Sequence, residues 1–381
     1  MEIGDEITIE PAELVAGGAA LARIDGFPIF VTDVFPGDVA RVRVTEVKKG
    51  FARAELVSIE SPSSLRRAAP CPIAEECGGC DWTALRLDAQ LEAKRRILTE
   101  SLRRIGKFDV STLPPIAIHP SPLNYRLRSR LHREGDAIGF YAIQSHHVVP
   151  LSSECEVVGL ETLRALLEGR TPSSAQRGES RADARLADEG VRRSQDAFEI
   201  WEVEGPILGY HVTPDAFFQV NRHLLRTMLR LVSEIAAGTP AKRTAIDLYS
   251  GVGFFSRPLA QLFERVTAIE GSRASHQCAK ANAAPNVKLV NAPVEEWIDH
   301  MPRTDFVFLD PPRSGARRNV IDAIARKTNE RICFLACDPV TFARDASRLT
   351  ASGWRLRTLD LLDLFPNTHH VETLSSFERA S

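Results

Sequence analysis

The sequence has no apolar run approaching the ~18 uncharged residues of a membrane-spanning helix, so no membrane span is expected. The acidic N-terminus, MEIGDEITIE, has no apolar signal region, which points to a cytoplasmic protein. An internal repeat is also missing, and with it any solenoid or propeller architecture. A strong net charge is lacking too: the formal value is -2, so the chain as a whole does not attract nucleic acid. Seven cysteines in such a compartment are not expected to form disulfides.

What is present is locally uneven. The 381 residues exceed one ordinary core and suggest two or three domains, and the apolar fraction of 44% is normal for a globular protein. Between Arg41 and Arg67 seven basic residues stand against three acidic ones. That excess, centred on Lys48, Lys49 and Arg53, suits either a phosphate-backbone contact or a solvated hairpin.

Residues 1 to about 60 alternate apolar and polar in short runs (EITIE, FPIFVTDV, DVARVRVTEV, FARAELVSIE), punctuated by Gly17-Gly18, Asp25-Gly26 and Pro36-Gly37-Asp38. This spacing predicts a small β-barrel. DAQLEAKRRILTESLRRI (88–105) has helical periodicity. Strands return between 122 and 155, where Arg126, Arg128 and Arg130 alternate and would share one face, as a phosphate track or an exposed sheet face. Residues 171–195 are polar and read as a surface excursion or weak helix. After 240, TAIDLYS, RVTAIEG, VKLVNA, FVFLDPP and ICFLACD alternate with helical stretches, the pattern of a doubly wound parallel sheet.

Ligands of such sheets bind at the carboxyl edge. There Gly251-x-Gly253 turns into a helix after Asp247, and Glu270 ends the second strand, placed to accept hydrogen bonds from a ribose. Asp310 ends the fourth strand and is locked by Pro311-Pro312. Together these favour S-adenosylmethionine over a nicotinamide cofactor. Cys337 ends the fifth strand, in FLACDPVTFARD, as either a small core residue or a nucleophile. Cys71-x5-Cys77-x2-Cys80, with Cys155, supplies four thiols, and the spacing leaves iron–sulfur and zinc equally open. Cys278 and Cys333 read as core residues.

The motifs CPIAEECGGCDW, FFQVN, DLYSGVGFFS, DPPRSG, ACDPVTFARD and FPNTHHVETL, in that order, resemble the RNA (uracil-5-)methyltransferases. The resemblance is greatest to the 23S ribosomal RNA branch, whose members carry a TRAM domain and a 4Fe–4S cluster. ELVAGGAALARIDGFPIFVTDVFPGDVARVRVTEVKKGFARAEL resembles the TRAM barrel. The resemblance implies an α/β fold of three parts: a TRAM-like (OB-like) β-barrel at 1–62, a cluster-binding and central RNA-binding α+β domain at 63–215, and a Rossmann-like methyltransferase domain at 216–381. It implies Cys337 as nucleophile, Glu372 as general base, and His370 as a supporting group. Gln219, Tyr249, Phe254, Glu270 and Asp310 would bind S-adenosylmethionine. Cys71, Cys77, Cys80 and Cys155 would hold the cluster, in a structural or RNA-positioning role, with zinc as the alternative. Lys48, Lys49, Arg53, Arg126, Arg128 and Arg130 would touch RNA, 23S rRNA ahead of tRNA. Pro293 departs from the acid or amide common at the adenine in such folds, and a monomer is expected. The alternatives are an amino-group methyltransferase, which leaves Cys337 and Glu372 idle, and a non-catalytic TRAM RNA-binding protein.

Overall fold

Three sheets organise the chain in the computed structural model, which describes residues 1–168, 196–201, 209–213 and 215–380. The polar stretch 171–195 lies outside the described residues.

The first sheet contains β1 (Glu6–Ile9), β2 (Glu13–Leu14), β3 (Ala20–Ile24), β4 (Phe27–Val31), β5 (Val39–Lys48) and β6 (Phe51–Ser61), in the order β1-β5-β6-β4-β3-β2. Alternation is the reason β5 forms. Ala40, Val42 and Val44 point inward, while Arg41 and Arg43 face solvent and pair with Glu60, Glu55 and Glu6. Asp38, fully buried, closes the barrel by accepting from the Phe35 and Ser63 N–H groups at 2.6 and 2.8 Å and pairing with Arg66.

Next comes α1 (Leu87–Arg104), whose buried face carries Gln90, Lys94, Ile97, Leu98, Ser101 and Leu102. Gln90 and Lys94 are polar residues on that face, and both reach the C-terminal half of the chain. β7 (Ile116–His119) follows. Then β8 (Arg128–Glu134), β9 (Ala137–Tyr141) and β10 (Val148–Pro150) precede α2 (Leu160–Leu167) and β11 (Asp196–Trp201), giving an antiparallel sheet ordered β10-β9-β8-β11.

The large sheet is laid down by α3 (Leu225–Ala237), β12 (Thr244–Leu248), α4 (Ser256–Leu262), β13 (Arg265–Glu270), α5 (Arg273–Asn282), β14 (Val287–Asn291), α6 (Val294–Trp297), β15 (Thr304–Leu309), α7 (Arg318–Lys327), β16 (Thr328–Ala336), α8 (Pro339–Ala351), β17 (Trp354–Leu362) and β18 (Glu372–Arg379). Its order is β14-β13-β12-β15-β16-β18-β17-β7. β12 to β16 run parallel, β18 is antiparallel to both of its neighbours, and β7 pairs parallel with β17. The strand order reverses at β12, between β13 and β15, the crevice where doubly wound sheets hold ligands. The doubly wound sheet expected from the sequence is therefore present. β7, from the 63–215 stretch, is its edge strand. Among the described residues, no helix is long and apolar enough to cross a membrane.

One buried ion pair joins the two halves. Lys94 Nζ lies 2.6 Å from Asp363 just after β17, with side-chain exposures of 0% and 6%. Lys94→Met would leave Asp363 buried without its counter-charge. Urea titration should show a loss of about 3–5 kcal/mol, the usual cost of breaking a buried pair from one side.

Candidate active site

The carboxyl edge of the large sheet gathers the reactive groups because each strand there ends in one of them. In β16 and β18, Leu335 pairs with Leu374 and Ala336 with Thr373. One step further, that register sets Cys337 opposite Glu372. The two strands thus make neighbours of residues 35 positions apart. Asp338 caps α8 immediately afterwards, accepting from Thr341 N–H at 2.7 Å, with Pro339 in the first turn. A helix therefore starts directly after Cys337.

On the other side of β16, Asp310 follows β15, and Gln219 Nε2 donates to its Oδ2 at 3.2 Å. Asp247, on β12, is fully buried and accepts from the Ser256 hydroxyl. Burial pushes Asp247 up to about 7, against the hydrogen bond from Ser256 and with help from Glu270. Burial and the neighbouring Asp247 push Asp310 up to about 7 as well. Glu372 is raised well above the usual carboxylate range by burial and then by Asp310, with Arg313 pulling the other way. Burial pushes the Cys337 thiol up to about 12, and Glu372 and Asp310 add to the rise. Without substrates, then, burial favours the protonated forms of Glu372 and the thiol, while Asp247 and Asp310 are poised near neutrality.

The nucleotide-type pocket follows the expected lines in part. Glu270 accepts from Gly251 N–H at 2.8 Å and from Ser272 N–H at 2.6 Å, which fixes the glycine turn against the second strand. Gly251 has φ of +55°, a conformation that favours glycine. Tyr249, at φ 60°, directs its hydroxyl to Glu295 at 2.8 Å. Phe254 is 4% exposed and packs with Tyr210, Phe218 and Phe255, so its ring braces the turn from within the core. Pro293 precedes α6, as the N-cap residue of that helix.

Arg313, which sequence reasoning left unassigned, and His370, expected as a supporting group, stand beside the thiol. Arg313, of DPPRSG, reaches His370 at 3.1 Å, and its charge opposes the rise at both Cys337 and Glu372. His370 itself is driven down to about 4 by burial, His369 and Arg313, so it is a neutral imidazole. Asp81 holds His369 through its backbone N–H at 3.1 Å and through Nδ1. The opening above Cys337 is lined by Ala16, Gly17, Arg313, His369 and His370, so a turn of the first sheet forms part of its wall.

Cys71, Cys77, Cys80 and Cys155 line one pocket with Phe140 and Asn367, and all are free thiols. Burial raises Cys71 and Cys77 and pushes Cys80 up to about 12, and Cys155 adds to each rise. Among the described residues, no three His, Cys, Asp or Glu gather tightly enough to hold a metal ion. The donor set of four unpaired thiols in one pocket fits a thiolate-bound metal group. Arg126 lies beside this pocket. Its guanidinium lies 5.3 Å from the Phe140 ring, and its charge opposes the rise at Cys77 and Cys80. The expected face shared with Arg128 and Arg130 is broken because Arg126 precedes β8 and makes isolated bridges to Val158 and Asn221 instead. Arg130 is exposed, and Arg128 donates to Ala216 O at 3.0 Å. At the β5–β6 tip, Lys48 and Arg53 pair with Glu46 at 2.9 and 3.3 Å.

Comparisons with known proteins agree with this layout. A family model described as tRNA (Uracil-5-)-methyltransferase matches residues 191–379, and one described as TRAM domain matches residues 4–57. The chain is 30% identical to an uncharacterized RNA methyltransferase of Gloeobacter violaceus, over 99% of this chain and 97% of the relative. It is 28% identical to the 23S rRNA (uracil(1939)-C(5))-methyltransferase of Shewanella baltica, over 99% and 96%. Among solved structures it resembles the Pyrococcus abyssi tRNA (uracil-54, C5)-methyltransferase, crystallised with S-adenosyl-L-homocysteine. The TM-score is 0.69 at 23% identity, covering 97% of this chain and 100% of that one.

The protonated thiol gives a direct test. Alkylation of Cys337 by iodoacetamide, followed by peptide mass spectrometry, should still rise about tenfold per pH unit from 8 to 10. A plateau near pH 9 would show that the surroundings do not hold the thiol protonated.

Proposed function

The chain belongs to the RNA (uracil-C5-)methyltransferase family, and on that premise we propose that it moves a methyl group from S-adenosylmethionine to C5 of a uridine in RNA. The observation that carries this reading is the cross-strand register that sets Cys337 against Glu372, with Asp310 and Gln219 beside them. An amino-group methyltransferase would have no use for that pair.

In this reading Cys337 and Glu372 give up their protons to solvent as the cationic donor and the RNA bind, and the Cys337 thiolate then bonds through Sγ to C6 of the uracil while the C5–C6 π pair moves toward C5 and O4. C5 then displaces the methyl group from the sulfonium, which leaves as a neutral thioether. Glu372 takes the C5 proton, the C5–C6 double bond re-forms, and the thiolate departs. Gln219 orients Asp310 by its hydrogen bond. Two carboxyls raised to about 7 suit a cationic donor, because a positive charge beside Asp247 and Asp310 favours their ionised form. Glu270, Tyr249 and the backbone at Phe254 form the nucleoside side of the pocket.

Cys71, Cys77, Cys80 and Cys155 are proposed to hold a 4Fe–4S cluster, with zinc as the alternative. Methyl transfer to uracil moves no net electrons, so the cluster's contribution is structural. Phosphate contacts are assigned to Lys48, Lys49, Arg53, Arg128 and Arg130. Arg126 leaves this set for the cysteine pocket. The domains divide at 62 and 215, and the protein acts as a cytoplasmic monomer on 23S rRNA ahead of tRNA. The Shewanella relative and the pairing of TRAM barrel with cysteine cluster support the ribosomal substrate.

The test is incubation with tritiated methyl donor and either ribosomal RNA or tRNA lacking 5-methyluridine. Label should enter 5-methyluridine of one RNA and fall at least about a thousandfold in Cys337→Ala. Glu372→Gln should instead accumulate a methylated covalent enzyme–RNA adduct. Label in an exocyclic amino group, or an active Cys337→Ala, would overturn the reading.

A further inference from the structure

Between β17 and β18 the chain runs through a loop without regular structure and ends at Glu372, the proposed base. Its midpoint is Asn367, which is fully buried at φ 65°. Both ends of its side-chain amide are engaged. Oδ1 accepts from Arg67 at 3.0 Å and Gln90 at 3.1 Å, and Nδ2 donates to Glu156 at 2.8 Å. Its backbone is occupied too: the N–H donates to Gln90 Oε1 at 2.8 Å, and the carbonyl accepts from the Asp81 and Trp82 N–H groups at 3.2 and 3.0 Å.

Two of these partners have a particular place in the sequence. Asp81 directly follows Cys80, and Glu156 directly follows Cys155. Asp81 also grips His369, two residues beyond Asn367 and three before Glu372. Asn367 and Glu156 themselves line the cysteine pocket. The loop that delivers the base is therefore bonded to the residues next in chain to two of the four thiols. A surface loop would leave such an amide to water, whereas here no polar group of Asn367 depends on solvent.

We propose that Asn367 is a positioning residue through which the cysteine centre sets the placement of Glu372, so that filling that centre fixes the base. The proposal rests on the methyltransferase reading above. A group held by the four cysteines would fix Cys80 and Cys155, and with them Asp81 and Glu156. The loop from Asn367 to Glu372 then has one position. The consequence is confined to the step that Glu372 performs. Cys337 follows β16 and is not part of the clamped loop, so addition at C6 and methyl transfer stay intact while removal of the C5 proton slows.

The variant that isolates this is Asn367→Gly, since glycine keeps the positive φ and removes only the amide. Glu156→Gln, which keeps the shape of the side chain and weakens the bond to Nδ2, is the second variant. Full-length proteins are compared with wild type and Glu372→Gln on RNA carrying C5-tritiated uridine. Three quantities are read: iron per chain, first-turnover methyl incorporation, and the fraction of enzyme trapped as covalent adduct on a denaturing gel. For Asn367→Gly we expect unchanged iron, unchanged first-turnover methylation, tritium release slowed about tenfold, and a matching rise in adduct. Glu156→Gln should move the same way by less, and wild type stripped of iron should also accumulate adduct. Equal slowing of methylation and tritium release would make Asn367 merely structural and overturn the proposal. So would a stripped enzyme that turns over without trapping. If Glu372→Gln itself forms no adduct, the methyltransferase mechanism fails first, and the two failures are told apart by that control.

Discussion

Lys94 and Asp363 form an ion pair shut away from water, and the order of the catalytic edge depends on it. Removing two charges from solvent is costly, and attraction between them offsets that cost only when the remaining hydrogen bonds are also made. Here they are made. Lys94 also donates to the Phe365 carbonyl at 2.9 Å and lies 6.0 Å from the Trp82 ring. The loop from 363 to 371 has no strand or helix to hold it. Fixing each such residue costs about 1–2 kcal/mol in backbone entropy. Side chains from α1 and from the cysteine segment supply what regular structure does not. Glu372 thus stands at the start of β18, paired with Leu362, and the N-terminal half of the chain holds the loop that leads into it.

That dependence explains why the site can be so unfavourable electrostatically. Asp247, Asp310, Glu372 and Cys337 crowd one buried edge, with Arg313 as the cation that bears on the thiol and the base. A loosely held loop would relieve such crowding by swinging Glu372 into water. Held at the start of β18, it cannot, and burial with the neighbouring acids raises all four groups. The thiol is thereby kept unreactive until substrates change its surroundings. In the proposed mechanism, reactivity is therefore conditional on binding.

Much of this was legible in the sequence, for identifiable reasons. β12, β13, β15 and β16 carry apolar runs that finish at or beside Asp247, Glu270, Asp310 and Cys337, so their positions and the carboxyl-edge chemistry could be read directly. β18 could not. Its sequence ETLSSFER buries Thr373, Ser375 and Ser376, and the serines find partners only across the sheet, Ser375 with the Phe334 carbonyl and Ser376 with the Thr358 hydroxyl. β7 was missed because its pairing with β17 spans more than two hundred residues. Arg126 looked like part of an alternating basic face, and only the start of β8 two residues later turns it toward the thiols. The same holds for Asn367. Its partners Arg67, Gln90 and Glu156 are remote in sequence, and an asparagine in a loop carries no local sign of a clamp.

The first barrel is built into the site as well. Gly18, at φ +88°, lies so close to the Asp81–His369 pair that a Cβ there would stand 2.7 Å from the carboxylate and 2.9 Å from the imidazole. Trp82 Nε1 donates back to its carbonyl at 3.2 Å. The turn is thus seated on the same loop that delivers Glu372, and Ala16 and Gly17 border the opening over Cys337. A barrel on a flexible tether could raise the local concentration of RNA but could not aim it. One seated in this way holds the basic tip of β5 and β6 in a fixed relation to the thiol. At that tip Glu46 shares Lys48 and Arg53 in exposed ion pairs, which are worth little in water. In the proposed phosphate contact, the backbone of an RNA would displace Glu46 at small cost and surrender only this weak internal contact, with both cations already held in place.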